Sequence, residues 1–354
     1  MKKNYFIEED FLLKSLSFNL DPENSKNPIP INNSINWKKV LNLAKIHYIS
    51  PLIYNMYKNL GSQSNVPKEV FIILQNYYFS NLKKNLTFKN ELVTLITGCK
   101  KNNLTIIPFR GFSLICSLYK DPALRIMNDI DILITKDIFQ DIKTILLQNG
   151  FQQMDSIKEK RDLINDDKEI LFLKKLPSGI NIPIELHSNI APPRPNQINL
   201  PLLYKNAYEE EMYDTKIITL STEDCFLSLA LHLRRHTRRL RLIMIFDIAK
   251  LIKNNLNNIN WQYIYASAKK NRILNTVYLA LYLVQELFKI KIPYSINSKF
   301  KPSILTRLII KTTINKNTFF YINKRNGTLL RFLLFDNLID FIFYLYRKTT
   351  KLPL

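Results

Sequence analysis

Apolar residues along the chain follow two different periods. Up to about residue 100 they recur at every third or fourth position, and the same spacing returns from residue 221 onward, which predicts amphipathic helices. Between about 104 and 190 short runs of strong β-formers replace this pattern, and they are separated by polar turns. These runs are LTIIPFRG, DIDILI, EILFLKKL and INIPIELHS, and a single helical segment, KDIFQDIKTILLQNGF, ends at Gly150. The pattern predicts a small α/β unit between two helical regions.

The change of period also predicts domain boundaries. We expect an N-terminal helical region over 1–100, a strand-containing core over 101–220 and a C-terminal helical domain over 221–354. Within the core, APPRPNQINLP is a proline-rich connector, and MYDTKIITLST is expected to add an edge strand or to tie back to the sheet. The C-terminal domain opens with a long helical pattern, for which Ser221 or Thr222 is the candidate N-cap.

Near the C-terminus, LLRFLLFDNLIDFIFYLYRK is apolar but carries charged and polar interruptions at Arg331, Asp336, Asn337 and Asp340. A membrane span needs about 20 nearly uninterrupted apolar residues, so an amphipathic helix is expected here. The acidic residues Glu8, Glu9 and Asp10 interrupt any apolar core of a secretory signal. Together with three scattered cysteines, this predicts a cytoplasmic protein without stable membrane insertion.

The net charge of the chain indicates a class of partner but does not identify one. The 354 residues include 51 Lys and Arg against 29 Asp and Glu, a net charge of +22, and 46% are hydrophobic, enough to fill a sizeable core. The excess favours polyanionic partners such as nucleotides, RNA or an anionic membrane surface. An Asn-, Ile- and Lys-rich composition explains the same excess without any partner, so charge alone identifies none.

The stretch RIMNDIDILI carries the strongest chemical pattern. Asp129 and Asp131 lie two residues apart in a predicted strand, so both carboxylates are expected on one face, while Ile130 and Ile132 point into the core. Paired carboxylates are suited to Mg²⁺, which prefers hard oxygen ligands and often shares them with substrate phosphates. The alternative is a strand end that faces solvent.

Three neighbouring features favour the metal site. In FRGFS, Gly111 lies at a strand-to-helix turn, where a helix N-terminus could hold phosphate and Ser113 could add a hydroxyl. In IPIELHS, Glu185 could complete the site and His187 shares its strand face. Arg125 could contact a triphosphate or simply neutralise the acid pair.

A basic segment follows the core. HLRRH places His232 and His236 four residues apart, but Leu233 stands where a zinc protease has glutamate, which argues against zinc. The arginines of the segment are expected on one helix, where they cap a nucleotide, attract RNA or an acidic acceptor, or form a solvated basic face; they are Arg234, Arg235, Arg238, Arg239 and Arg241. Asp247 is expected to pair with one of them.

Three motifs in order, RGFS, then SLYKDPALRIMNDIDILI, then IELH, resemble a known family. They are similar to the minimal nucleotidyltransferase fold of the DNA polymerase β superfamily and, more narrowly, to bacterial nucleotidyltransferase family proteins. The likeness is firm over about 104–190 and extends over 35–255 or beyond. It implies an α+β fold, with a small mixed sheet and helices in the core and helical domains on both sides. Two departures are Arg110, where the group usually has lysine, and the spread of the usual Gly-Ser pair over Gly111, Phe112 and Ser113.

The resemblance implies a metal-dependent nucleotidyltransferase that uses Mg²⁺ or Mn²⁺. Asp129 and Asp131 would hold metals that bridge the triphosphate, and Glu185 would be the third carboxylate and help activate the attacking hydroxyl. The nucleotide contacts expected are Arg110, Gly111, Ser113, Arg125 and His187. Such an enzyme moves a nucleoside monophosphate from a nucleoside triphosphate, ATP among the candidates, to a hydroxyl acceptor and releases pyrophosphate.

Several alternatives stay open from the sequence. The acceptor could be a small molecule, an RNA or a protein, and the oligomeric state is undetermined. One rival hypothesis is a non-catalytic nucleotide- or RNA-binding protein with the same fold. Another is a structural or membrane-surface protein that uses its charge and its C-terminal helix.

Overall fold

The computed structural model describes residues 7–21, 34–60, 66–154, 169–190, 198–212, 215–337, 339–342 and 346. Most of the proline-rich connector, residues 191–197, lies outside this described part. The remainder is mainly helical, with a small mixed sheet of five strands, so the predicted α+β class is confirmed.

In the described residues before the sheet there are four helices, in the region where the period predicts helical structure. They are α1 (Ile7–Leu20), α2 (Trp37–Ile46), α3 (Ser50–Leu60) and α4 (Lys68–Lys101). Asn36 caps α2 with its side-chain oxygen, which accepts a hydrogen bond from the Lys39 backbone N–H at 3.0 Å. The last of these helices has 34 residues and reaches from the N-terminal helices to the sheet.

The main sheet contains five strands with the spatial order β1-β2-β5-β4-β3. Its elements are β1 (Ile107–Phe109), α5 (Gly111–Leu114), β2 (Ile130–Leu133), α6 (Phe139–Gln148), β3 (Gln152–Gln153), β4 (Ile170–Lys175) and β5 (Asn181–His187). β2 and β5 run parallel, and the other pairs are antiparallel. The burial predicted from the alternation in DIDILI is observed, because Ile130 and Ile132 are fully buried. The central strands thus carry the DxD and IELH motifs side by side.

The expected edge strand in MYDTKIITLST does not join this sheet. After α7 (Leu200–Asn206), β6 (Tyr208–Met212) pairs with β7 (Thr215–Thr219) in a separate two-stranded antiparallel sheet. The edge-strand alternative was wrong because the sequence YEEEM supplies a partner strand that its charges obscured, whereas the other alternative, a tie back to the sheet, agrees with the packing of β7 beside β1. Tyr208 faces Thr219 and Met212 faces Thr215 in this hairpin.

The described residues between the hairpin and residue 333 contain seven helices. They are α8 (Thr222–Arg235), α9 (Leu242–Asn255), α10 (Trp261–Lys270), α11 (Leu274–Phe288), α12 (Tyr294–Asn297), α13 (Ile304–Thr313) and α14 (Lys324–Leu333). Ser221 is the N-cap of α8, and its hydroxyl accepts a hydrogen bond from the Asp224 backbone N–H at 3.2 Å. Of the two candidate caps, the serine is therefore the one used.

The predicted basic helix is not continuous. α8 ends at Arg235, a single 3₁₀ turn covers Thr237–Arg239, and Leu240 is extended before α9 begins. Arginines at close spacing repel one another on a helix surface, and buried, β-branched Thr237 further disfavours its continuation. The break turns the arginines in different directions.

The amphipathic helix expected from residue 329 is also interrupted. Within the described part of residues 329–348, α14 ends at Leu333 and a turn follows. A further helical turn then covers residues 339–342. Asp336 in that turn accepts hydrogen bonds from the Leu274 and Asn275 backbone N–H groups at 2.8 and 2.9 Å. This carboxylate thus serves the start of α11 instead of continuing a helix. Among the described residues, no helix is long and apolar enough to cross a membrane.

Two hydrophobic cores divide the molecule. One lies between the sheet, α6 and the C-terminal half of α4, around Phe88, Ile130 and Phe172. The larger one joins the helices before and after the sheet, with Phe11 and Leu52 in the same cluster as Phe246 and Leu279. The helical regions at the two ends of the sequence therefore pack together, and the acidic motifs lie where they meet the sheet.

Candidate active site

Strand pairing brings the acidic motifs together. In the parallel pair β2 and β5, Asp131 lies directly opposite Glu185, and Leu133 lies opposite His187. Asp129 stands immediately before β2, in a bend. Among the described residues, potential ligand atoms of Asp131, Glu185 and His187 lie within 4.8 Å of one another. The strands themselves thus create a compact acidic cluster.

A cleft of about 190 Å³ opens above this cluster. Its walls come from the sheet on one side and from α8 and α9 on the other. The polar lining residues are Tyr48, Arg110, Arg125, Asn128, Asp129, Asp131, Glu169, Glu185, His232, Arg235, His236 and Arg241. Carboxylates and arginines therefore face one solvent-accessible space.

Arg110 is held against Asp131 by an unusual backbone conformation. It has φ 56° and ψ −123° between β1 and α5, a left-handed region that costs a non-glycine residue about 1 kcal/mol or more. Its guanidinium lies 4.6 Å from the Phe109 ring centroid and 3.4 Å from Asp131 Oδ1. At Gly111, a Cβ would lie 3.1 Å from the Met127 side chain, so this position favours glycine. The turn thus places a buried cation beside the acidic cluster.

His187 and Arg110 contact the same oxygen of Asp131. His187 Nε2 lies 2.7 Å from Oδ1, the atom that Arg110 also approaches. Because an ionised carboxylate only accepts hydrogen bonds, we assign the imidazole proton to Nε2. This geometry orients Asp131 and leaves its Oδ2 without a hydrogen-bond donor among the described residues.

The pKa values of the three carboxyl groups are shifted in different directions. Burial would raise the pKa of Asp131, but the Arg110 charge and the His187 hydrogen bond outweigh it and hold that pKa well below the usual range. Burial, followed by repulsion from Asp129 and Asp131, raises the pKa of Glu185 to about 7. Burial and the Asp131 charge also raise the pKa of Asp129. Asp129 and Glu185 thus lack sufficient compensating positive charge.

A family model described as uncharacterised nucleotidyltransferase matches residues 33–289, well over half of the chain. The chain belongs to this nucleotidyltransferase family. The match confirms the family suggested by the motifs and covers the helices from α2 to α11 as well as the sheet. A search of curated proteins finds no match.

Two of the expected nucleotide contacts, Ser113 and Arg125, are hydrogen-bonded within the protein. The Ser113 hydroxyl donates a hydrogen bond to the Arg110 carbonyl at 3.1 Å, and its side chain lines a different cavity. Arg125 lines the cleft, but it donates a 2.8 Å hydrogen bond to Asp247, which also accepts one from Tyr119 at 2.6 Å. Asp247 therefore pairs with Arg125 and not, as expected, with an arginine of the basic segment.

The long helix α4 positions the loop that precedes Asp129, a role that sequence reasoning missed. One face of α4 donates hydrogen bonds to this loop: Tyr78 to Asp121 at 2.7 Å, Asn81 to the Ala123 carbonyl at 2.7 Å, and Asn85 to the Pro122 and Arg125 carbonyls at 2.6 and 2.8 Å. Lys84 on the same face donates to the Met127 carbonyl. Polar residues at helical spacing were the available clue.

Sequence reasoning also missed Glu169, a fourth carboxylate in the cleft. Arg235 pairs with it, with Nη2 2.6 Å from Oε2, and His187 Nδ1 lies 3.5 Å from Oε1. Because Glu169 directly precedes β4, its ion pair with Arg235 connects α8 to the sheet. No motif marks this residue, because its role depends on where α8 packs.

Tyr48 is a second residue of the cleft without a sequence motif. It follows α2 with φ 61°, and the Ile49 backbone N–H donates to the Ala44 carbonyl at 2.9 Å. This is a helix C-terminal turn that usually favours glycine. The Tyr48 hydroxyl accepts a 3.0 Å hydrogen bond from Asn128, next to Asp129. A tyrosine in this conformation suggests that the site needs its side chain.

Proposed function

We propose that the protein transfers a nucleoside monophosphate from a nucleoside triphosphate to a hydroxyl acceptor with a divalent metal, Mg²⁺ or Mn²⁺. Membership of the nucleotidyltransferase family supports a role in nucleotidyl transfer. The observation that carries the finer proposal is the direct pairing of Asp131 with Glu185 on adjacent parallel strands, with both residues and Asp129 lining one cleft.

The carboxylates fit a hard divalent cation. Asp131 Oδ2 accepts no hydrogen bond from a described residue, and the pKa values of Asp129 and Glu185 are raised by burial and mutual repulsion. A cation would relieve this repulsion, and carboxylate oxygens are the ligands that Mg²⁺ prefers. Asp129, Asp131 and Glu185 are the proposed ligands. When bound, the metal would supply charge neutralisation at the triphosphate.

The chain's own residues would orient the reactants and move one proton. His187 and Arg110 hold Asp131 by its Oδ1, which fixes the direction of the other oxygen. A new bond forms between the acceptor oxygen and the α-phosphorus, while the bond from that phosphorus to pyrophosphate breaks. The acceptor proton passes to Glu185, because this carboxylate lines the cleft directly beside Asp131.

The test compares two positions of label. Purified protein is incubated with each NTP labelled at the α- or the γ-phosphate, with Mg²⁺ or Mn²⁺ and a cell extract as the source of acceptors. We expect α-label in a larger product and γ-label in pyrophosphate. The variant that combines Asp129→Asn with Asp131→Asn should transfer at least about a hundredfold less, since several kcal/mol of charge stabilisation are removed.

The matched control combines Asp137→Asn with Asp141→Asn. It removes the same charge from exposed positions outside the cleft and should keep wild-type activity. Equal nucleotide binding by wild type and the Asp129/Asp131 variant, with no transfer by either, would contradict the proposal and favour a non-catalytic nucleotide-binding protein.

A further inference from the structure

One arginine of the cleft has no carboxylate partner among the described residues. Four arginines line the cleft, and three are paired within the protein: Arg110 with Asp131, Arg125 with Asp247 and Arg235 with Glu169. The fourth, Arg241, makes no hydrogen bond or ion pair with another described residue. Its charge is therefore available to a ligand.

An aromatic ring holds this arginine in place. The guanidinium carbon of Arg241 lies 3.9 Å from the centroid of the Tyr48 ring, a stacking contact that leaves the N–H groups at the edge of the guanidinium plane free. Tyr48 is fixed in turn by the hydrogen bond from Asn128. A stacked arginine is already ordered, so less conformational entropy is lost when it binds an anion.

The same contacts link Arg241 to the acidic cluster. Asn128 directly precedes Asp129, so the Tyr48 ring connects the uncommitted cation to the loop that carries a proposed metal ligand. The start of α9 does not compete for the anion, because His47 accepts hydrogen bonds from the Leu242 and Ile243 backbone N–H groups at 3.2 and 3.3 Å. The guanidinium of Arg241 is thus an uncommitted cation on this wall of the cleft.

We infer that Arg241, stacked on Tyr48, binds the polyphosphate moiety of the nucleoside triphosphate. This inference rests on the proposed function, since a metal at Asp129 and Asp131 would bring the polyphosphate to that side of the cleft. The planar guanidinium can donate two parallel hydrogen bonds to phosphate oxygens in a fixed fork, a geometry that the rotatable ammonium group of lysine does not provide. Arg241 therefore selects ligands by their phosphate chain and not by their base.

The inference is tested by binding, separately from turnover. Calorimetry with the full chain and Mg²⁺ would measure the affinities of tripolyphosphate, ATP and adenosine for wild type and Arg241→Gln. We expect about a tenfold or greater loss for tripolyphosphate and ATP in the variant and no change for adenosine, in line with loss of a charge-assisted hydrogen bond. Arg241→Lys, which keeps the charge but not the fork, should lose part of the affinity.

Arg239→Gln is the matched control, because Arg239 is exposed in the same segment and does not line the cleft. It should change affinity less than twofold, which separates a direct contact from the general field of the protein. Tyr48→Leu should weaken tripolyphosphate binding with Arg241 intact. Thermal unfolding would confirm that each variant is folded.

The outcomes distinguish this inference from the proposed function. Weaker polyphosphate binding by Arg241→Gln supports the inference even if no NTP is transferred. Unchanged tripolyphosphate and ATP affinities in folded Arg241→Gln would overturn it, even if the wild type transfers label. Equal losses in Arg241→Gln and Arg239→Gln would also overturn it, since net charge alone would then explain the binding.

Discussion

Replacing Asp247 by asparagine should destabilise the protein severely. Asp247 is fully buried on α9, and its two oxygens accept hydrogen bonds from Tyr119 at 2.6 Å and Arg125 at 2.8 Å. The Arg125 side chain is only 13% exposed and retains its charge when the partner is neutralised. Leaving one member of a buried ion pair unpaired costs about 3–5 kcal/mol, so Asp247→Asn should lower the free energy of unfolding by that amount.

Two further variants separate the charge from the hydrogen bonds. Tyr119→Phe removes one hydrogen bond but leaves the ion pair, and should cost about 2 kcal/mol. Combining Arg125→Met with Asp247→Leu removes both charges and fills similar volume, so it should recover the loss that comes from the unpaired charge and keep only the cost of the Tyr119 hydroxyl, which loses its acceptor.

Urea unfolding at pH 7, followed by circular dichroism, would measure these differences. The order of stability expected is wild type, Tyr119→Phe, then Asp247→Asn, with the double variant well above Asp247→Asn. If Asp247→Asn unfolds within about 1 kcal/mol of wild type, or if the double variant is no more stable than Asp247→Asn, the reasoning about an unpaired buried arginine is refuted.

Three other changes in stability follow from the structure and can be measured by the same unfolding assay. The pKa of Glu185 is raised from 4.5 to about 7, so the folded protein binds this proton more tightly than the unfolded chain does. The free energy of unfolding of the metal-free protein should therefore fall by up to about 3 kcal/mol as pH rises from about 4.5 through 7. Glu185→Gln should flatten this dependence, and an equally steep profile in the variant would contradict the prediction. Burial, with a smaller effect of Arg241, lowers the pKa of His47 to about 4. The stabilising effect of neutral His47 is therefore complete above pH 6.5 and is lost as pH falls toward 4. His47→Asn keeps an acceptor for the Leu242 backbone N–H, so this variant should lose less stability in acid than wild type. Gly327→Ala would place Cβ 2.4 Å from the Thr237 carbonyl oxygen and should cost about 1–3 kcal/mol, whereas alanine at exposed Arg325 on the same helix should change stability little.

The sequence predicted the elements whose information is local. Alternation in DIDILI identified a strand with Asp131 on one face and buried isoleucines on the other, and helical period identified the flanking regions. Resemblance then related Glu185 to the aspartates, although the two motifs are more than 50 residues apart. Periodicity alone does not predict that β2 and β5 are neighbours, because strand order is a long-range property.

The wrong predictions have a local cause in one case and a long-range cause in the others. A helical period continues through the basic segment, but charge repulsion and the packing of Thr237 end α8 at Arg235. Asp247 has arginines nearby in sequence, yet its partner is Arg125, 122 residues away. Tyr48 and Glu169 carry no motif, and their place in the cleft follows only from how α2, α8 and α9 pack against the sheet.

Metal binding tests the central claim most directly. Titration of Mn²⁺ followed by electron paramagnetic resonance, with a non-hydrolysable NTP analogue present, would compare wild type with the combined Asp129→Asn and Asp131→Asn variant and with the Asp137/Asp141 control. We predict that the first variant binds Mn²⁺ at least about tenfold more weakly, since carboxylate ligands are lost, while the control matches wild type. Equal Mn²⁺ affinity in all three proteins would contradict the assignment of this acidic cluster as the metal centre.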